Sequence, residues 1–132
     1  MKAIADTGFL VAFGNRRDGH HGWAVEVAQR VTEPLLTCEA VLAETAFHLG
    51  SASLAFQFVE QGLVRPAFVM GDHLPRLREL ALRYADRNPD IADLCLIRLS
   101  ELHPKYPVIT TDVTDFRVYR RGRRDVIALI HP

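Results

Sequence analysis

Short apolar runs alternate with longer segments of helical period along the whole chain, an order that favours a parallel sheet covered by helices. The expected class is therefore α/β. Residues 3–5 read as a first strand ending at Asp6, and residues 9–13 continue as an apolar turn or short helix. Residues 20–30 predict a helix, with Trp23, Val27 and Val31 four apart, and residues 35–37 a short buried strand. The next helix spans residues 39–49 and stops at Gly50, a residue suited to the left-handed cap. Ser51 is a candidate N-cap for a helix with Leu54, Ala55, Phe58 and Val59 on one face and Gly62 as its stop.

Residues 63–70 read as a strand, placed at an edge because Pro66 lacks an amide donor. Asp72 is read as the cap of a long helix with Leu74, Leu77, Leu80, Ala81 and Tyr84 on one face. Asn88-Pro89 predicts a helix start, asparagine as N-cap and proline at the first helical position. Asp90 and Asp93 follow on nearly one face, against an apolar stripe of Ile91, Leu94, Cys95 and Leu102. Residues 108–111 form a further strand that delivers Asp112, and residues 126–130 complete the sheet or cover its edge.

A length of 132 residues suits a single domain, so one core over residues 1–132 is expected. Hydrophobic residues at 48% and charged residues at 24% are ordinary globular values, which argues against disorder. Formal charge is +0 with a pI near 7.0, so no global field steers the chain to nucleic acid or an anionic membrane. Any such affinity must be local. Arg117, Arg120, Arg121, Arg123 and Arg124 crowd around Tyr119, although such a run read alone is an ordinary solvated loop. Cys38 and Cys95 lack metal-ligand spacing, so neither a zinc site nor a disulfide framework is expected. No apolar run approaches the roughly 18 residues of a membrane span, and the N-terminus lacks a signal-peptide core, so the expected location is cytoplasmic.

The placement of acids carries the functional signal. In open α/β sheets ligands collect beyond the C-terminal ends of the strands, where Asp6 and Asp112 both fall. Glu44 and Asp93 instead sit inside helices among apolar neighbours, and a buried carboxylate must be paired, protonated or bound to a cation. Four such acids without nearby lysines suit magnesium or manganese, whose preferred ligands are oxygens. Each acid also has a plain alternative. Asp6 before Thr7-Gly8 could make a turn, Asp90 could serve a helix dipole, Glu44 could bond His48 or an arginine, and Asp112 and Asp115 could be turn formers. Two other acid-based chemistries fit less well. A phosphoacceptor receiver needs an acidic pair after the first strand and a lysine after the last, and the only lysines are Lys2 and Lys105. An aspartyl-phosphate phosphatase needs a second acid where Gly8 stands.

Taken in order, four segments resemble the PIN-domain family, especially the VapC-type toxins of bacterial toxin–antitoxin pairs. They are Ile4-Ala5-Asp6-Thr7-Gly8-Phe9-Leu10-Val11-Ala12-Phe13 with Arg17-Asp18-Gly19-His20-His21, then Ala40-Val41-Leu42-Ala43-Glu44-Thr45, then Pro89-Asp90-Ile91-Ala92-Asp93-Leu94, and last Val108-Ile109-Thr110-Thr111-Asp112 with Asp115-Phe116. The resemblance implies a three-layer α/β/α fold with about five parallel strands, and a Mg2+- or Mn2+-dependent endonuclease acting on structured RNA. It further implies Asp6, Glu44, Asp93 and Asp112 as the catalytic set, a homodimer, and a small antitoxin that reaches into the acidic site.

Within that frame Asp6, Asp93 and Asp112 are expected as metal ligands and Glu44 as the group that orients or deprotonates the attacking water. Asp90 and Asp115 are supporting candidates, and Thr7 and Thr111 are expected to hold the carboxylates in place. An acidic centre repels phosphate, so a basic rim must supply affinity for RNA, drawn from Arg16, Arg17, Arg117, Arg120, Arg121, Arg123 and Arg124. Tyr119 or Trp23 could stack an unpaired base, with Trp23 read first as core. The competing reading is a non-catalytic module of the same fold that only holds RNA or a protein.

Overall fold

A computed structural model describes residues 1–132. Five parallel strands form the sheet: β1 (Ile4–Ala5), β2 (Leu35–Thr37), β3 (Val64–Pro66), β4 (Val108–Ile109) and, from the C-terminal end, Leu129–Ile130. Their spatial order places β1 at the centre, with β2 and β3 on one side and β4 and the C-terminal strand on the other. The chain builds outward from β1 in one direction, then crosses to its other flank. That reversal lies between β1 and β4, and it opens a crevice at their carboxyl ends.

Because β1, β2 and β4 are wholly buried, both faces of the sheet must be covered, as parallel sheets require. Helices provide the cover: α1 (Thr7–Gly14), α2 (His21–Gln29), α3 (Glu39–Leu49), α4 (Ala52–Glu60), α5 (Leu74–Arg83), α6 (Ile91–Leu102) and the short α7 (Val113–Phe116). The result is the three-layer α/β/α arrangement. One apolar cluster joins Ile4, Phe9 and Leu10 to Leu35, Leu96, Ile97, Ile109 and Phe116. Helix α6 is the most deeply inserted, with seven of its residues buried, so its first turn is held firmly against the crevice. Trp23 packs its ring edge-on against Phe9 at 5.9 Å, which makes it a core contact.

Local signals explain most boundaries. Gly50 takes the left-handed conformation at φ 67, and Ser51 caps α4 by accepting from the Leu54 amide at 3.0 Å. Several expectations need correction. Asn88 does not cap α6. It sits in the left-handed region at φ 47, closing the 3-10 turn Ala85–Arg87 in a conformation that asparagine adopts more readily than most residues. The cap is Asp90, whose carboxylate accepts from the Asp93 amide at 2.8 Å. The strand expected over residues 63–70 pairs only as far as Pro66 and is indeed at the sheet edge. After it the Ala67 amide donates to the Thr37 carbonyl and the chain turns away into a 3-10 turn, Met70–His73. Asp72 lies inside that turn and caps nothing, and α5 begins at Leu74 with proline in its first turn.

The C-terminal stretch also divides. Arg120–Arg121 (β5) pairs antiparallel with Asp125–Val126 (β6), and only Leu129–Ile130 (β7) joins the main sheet beside β4. Gly122, at φ 60, makes the hairpin turn. Glu101 on α6 fixes it, accepting from the Gly122 amide at 2.8 Å while Arg83 donates to the Gly122 carbonyl. No helix is long and apolar enough to cross a membrane.

Candidate metal centre

Asp6 leaves β1 and caps α1, its Oδ1 accepting from the Thr7 amide at 2.7 Å. Its other oxygen accepts from the Thr110 hydroxyl at 2.6 Å, one strand away on β4. Each carboxylate oxygen is thereby held by one donor, the first amide of α1 and the side-chain hydroxyl of the residue that follows β4. Gly8 makes the approach of α1 possible, since a Cβ there would lie 2.0 Å from the Thr111 hydroxyl. Burial pushes the Asp6 carboxyl up to about 6 against those two bonds, with the charges of Asp112 and Glu44 adding to the rise.

Asp112 follows β4 and caps α7 by accepting from the Asp115 amide at 3.1 Å. Asp93 lies one turn into α6 beyond the Asp90 cap, and its Oδ2 accepts from the Tyr119 hydroxyl at 3.0 Å. Burial, then repulsion from Asp90 and Asp6, raises the Asp93 carboxyl to about 7 despite that bond. Glu44 reaches in from α3 and accepts from the Thr7 hydroxyl at 3.0 Å. Burial and the charge of Asp90 raise it too, and Asp112 is raised first by burial.

These side chains meet in one open cavity of about 430 Å³, at the carboxyl ends of β1 and β4. Seven carboxylates line it: Asp6, Asp18, Glu44, Asp90, Asp93, Asp112 and Asp115. The one arginine there, Arg87, is already paired with Asp115 at 2.9 Å. Oxygens of Asp93, Asp112 and Asp115 come within 4.8 Å of one another. Like charges held this close, several of them partly desolvated, have one arginine among seven carboxylates and so too little counter-charge. A divalent cation with oxygen ligands supplies it, and the donor set contains no sulfur that would favour a softer ion.

A sequence profile decides the family, for the PIN domain profile matches residues 3–121. The chain belongs to the PIN-domain family. No curated protein matches it closely enough to narrow the assignment further.

Within this PIN domain, Asp6, Glu44, Asp93 and Asp112 are brought to one cavity, together with Thr7, Asp90, Thr111 and Asp115. Asp90 acts on the backbone as a helix cap. Asp115, expected as a supporting residue, stands within the closest oxygen cluster. The threonine that bonds Asp6 is Thr110 and not Thr111, since side chains alternate across a strand and Thr110 has the inward phase. Tyr119 is no base-stacking platform. Its ring is fully buried, edge-on to Tyr84 at 5.0 Å and Phe116 at 5.3 Å, and its hydroxyl serves Asp93.

The arginines separate into two kinds. Arg16, Arg17, Arg117, Arg123 and Arg124 are exposed, the first two in the same loop as Asp18 and His20 of the cavity wall. Arg120 is half-buried and spends its Nη1 on the carbonyls of Arg117, Val118 and Tyr119, which removes it from the expected RNA contacts. Arg121 is half-buried as well, donating to the Val126 carbonyl. The sequence pointed to neither Thr110 nor Arg87, and it pointed to Tyr119 for a different role. A buried threonine before a strand-end acid was a usable sign of the first, whereas nothing local marks the other two.

Proposed function

We propose that this PIN domain is a divalent-metal-dependent endoribonuclease that hydrolyses phosphodiester bonds of structured RNA, and that it is the toxin of a type II toxin–antitoxin pair. The observation that carries the nuclease reading is the convergence of carboxylates from β1, α3, α6 and β4 on one cavity with a single, already paired, arginine. Asp6, Asp93 and Asp112 would hold Mg2+ or Mn2+, with Asp115 a fourth oxygen donor beside Asp93 and Asp112. When bound, the cation supplies charge to offset the phosphate and lowers the barrier to water attack.

The chain's own residues do the rest. Glu44, held by Thr7, orients the attacking water and takes its proton. Thr110 and the Thr7 amide keep the Asp6 carboxylate in a single rotamer, and Tyr119 does the same for Asp93. Exposed arginines at the rim, Arg16, Arg17, Arg117, Arg123 and Arg124, meet the RNA backbone.

The toxin role, the antitoxin and the homodimer rest on the resemblance of the four motifs to VapC-type proteins. Apolar surface for a protein partner is present: a hollow of about 660 Å³ between α3 and α4 is lined by Leu42, Ala46, Phe56 and Val59, and Phe56 is 62% exposed. A cytoplasmic location goes with that role.

Incubation of total RNA with the native chain and with Asp6→Asn, each with Mg2+, Mn2+ or chelator, tests the reading. Metal-dependent fragments from the native chain alone are expected. Identical patterns from the two, or no cleavage across metals and RNAs, would overturn it in favour of a module that only binds.

A further inference from the structure

On another face of α6 the charges are arranged in the opposite sense. Arg98 and Glu101 lie five and eight residues beyond Asp93, about 7.5 and 12 Å along the helix axis. With Arg76 of α5, Pro104, and Arg121, Gly122 and Asp125 of the hairpin they wall a cavity of about 410 Å³ lined chiefly by charged residues. Of the three guanidiniums there, Arg76 is ion-paired with Glu79 and Glu101 and Arg98 with Glu101, so that Arg121 alone has no ion pair.

The pairing inside this cavity is uneven. Glu101 is saturated, accepting from Arg76 through two nitrogens, from Arg98 and from the Gly122 amide. Arg121 is not. Its Nε is buried and meets no acceptor in the protein, which is costly for a charged donor and rare in a settled salt-bridge network. A hairpin serving only as packing would not need a half-buried arginine with a free donor.

We propose that the cavity between α5, α6 and the β5–β6 hairpin is a second anion site, and that it takes a phosphodiester group of the RNA backbone at a distance from the acidic centre. Planar guanidinium forks match phosphoryl oxygens; the Arg121 Nε supplies one such donor, and Arg98, whose Nε donates to His73 and Nη1 to Glu101, has its Nη2 left for another. The choice of RNA as the polymer rests on the nuclease reading above. The site would set where a bound strand lies, and so contribute affinity that does not depend on metal.

Fluorescence anisotropy of a labelled 12-nucleotide single-stranded RNA, measured in chelator over a salt series, tests this without any cleavage. Arg98→Gln and Arg121→Gln should each weaken binding about fivefold or more and flatten the log–log salt slope by about 0.7. Arg121→Lys, which keeps the charge and loses Nε, should weaken binding while leaving the slope near native. Arg30→Gln, an exposed arginine at the end of α2, is the control and should change nothing. Thermal melting of each variant within about 2 °C of native shows that the fold is kept.

Inorganic phosphate added as competitor separates the sources. Competition at millimolar phosphate supports a site for the bare oxyanion, and RNA binding indifferent to phosphate but sensitive to the variants supports a site for the polymer backbone. Native affinity and native slope in all three arginine variants would overturn the inference, even if metal-dependent cleavage were intact. Loss of cleavage in Asp6→Asn with this binding retained would leave both readings standing.

Discussion

Helix α6 separates two charged regions that obey opposite rules. At its start, carboxylates crowd together and their pKa values rise, to about 6 at Asp6 and about 7 at Asp93. Near its end Glu101 is also partly buried, yet the bonds from Arg76, Gly122 and Arg98 outweigh burial and hold it below its ordinary value. Burial alone therefore does not distinguish a working charge from a structural one. What differs is whether the protein itself supplies the counter-charge, and the acidic cavity leaves that to a ligand.

The strongest test of this contrast neutralises one acid on each side. Asp6→Asn should reduce metal-dependent RNA cleavage by on the order of 10²–10³-fold, the scale seen when one polar group that stabilises a transition state is removed. In chelator at pH 7.5 the same change should leave the melting temperature unchanged or raise it, because it relieves repulsion. Glu101→Ala should do the reverse. It strips Arg76 and Arg98 of their partner and frees the hairpin turn, costing about 3 kcal/mol in urea unfolding. A stability loss in Asp6→Asn as large as that in Glu101→Ala would erase the distinction.

Titration sharpens it at the next scale down. For an acid whose pKa is raised on folding, the stabilising contribution is complete below the unfolded value, near 3.8, and is lost as pH rises through the folded value. The chelated protein should therefore lose roughly 5 °C of melting temperature between pH 5 and pH 8, allowing for solvent screening at the cavity mouth. Added Mn2+ at pH 8 should recover it. Glu101 contributes nothing in that window, since a lowered carboxyl gives up its stability only as pH falls below about 4.5. A melting curve flat from pH 5 to pH 8, with or without Mn2+, would contradict the reading of the acidic cavity.

How much of this was legible in the sequence depends on the distance over which each feature is decided. The parallel α/β order, the edge position given by Pro66 and the Gly50 stop follow from residues within one or two turns, and the structure has them. The gathering of Asp6 and Asp112 was readable too, because strand ends in such a sheet face one crevice, and Glu44 and Asp93 stood out as helical acids among apolar neighbours. The start of α6 was not, since Asn88 and Asp90 are both good caps, and Asn88 is taken up in closing the 3-10 turn before it. Thr110 and Thr111 differ by one step of the pleat, which composition does not register. Arg120 reads as a solvated arginine in any local window, yet its guanidinium closes on three carbonyls of its own turn.

Tyr119 is the extreme case and the smallest predicted effect. It adjoins the arginines in sequence but belongs to the acidic cavity in space, so it joins the two regions that α6 keeps apart. Burial and the neighbouring Asp93 raise its hydroxyl above the ordinary value, which keeps it a neutral donor at any working pH. Tyr119→Phe keeps the ring against Tyr84 and Phe116 and removes only the bond to Asp93. If the tyrosine positions the ligand, Mn2+ affinity measured by calorimetry should fall by about 10-fold, the lower end of what such supporting contacts contribute. Unfolding free energy should move by about 1 kcal/mol or less. Unchanged Mn2+ affinity would instead make Tyr119 a packing residue, and the acidic cavity would then depend on the strand-end backbone, Thr7 and Thr110 alone.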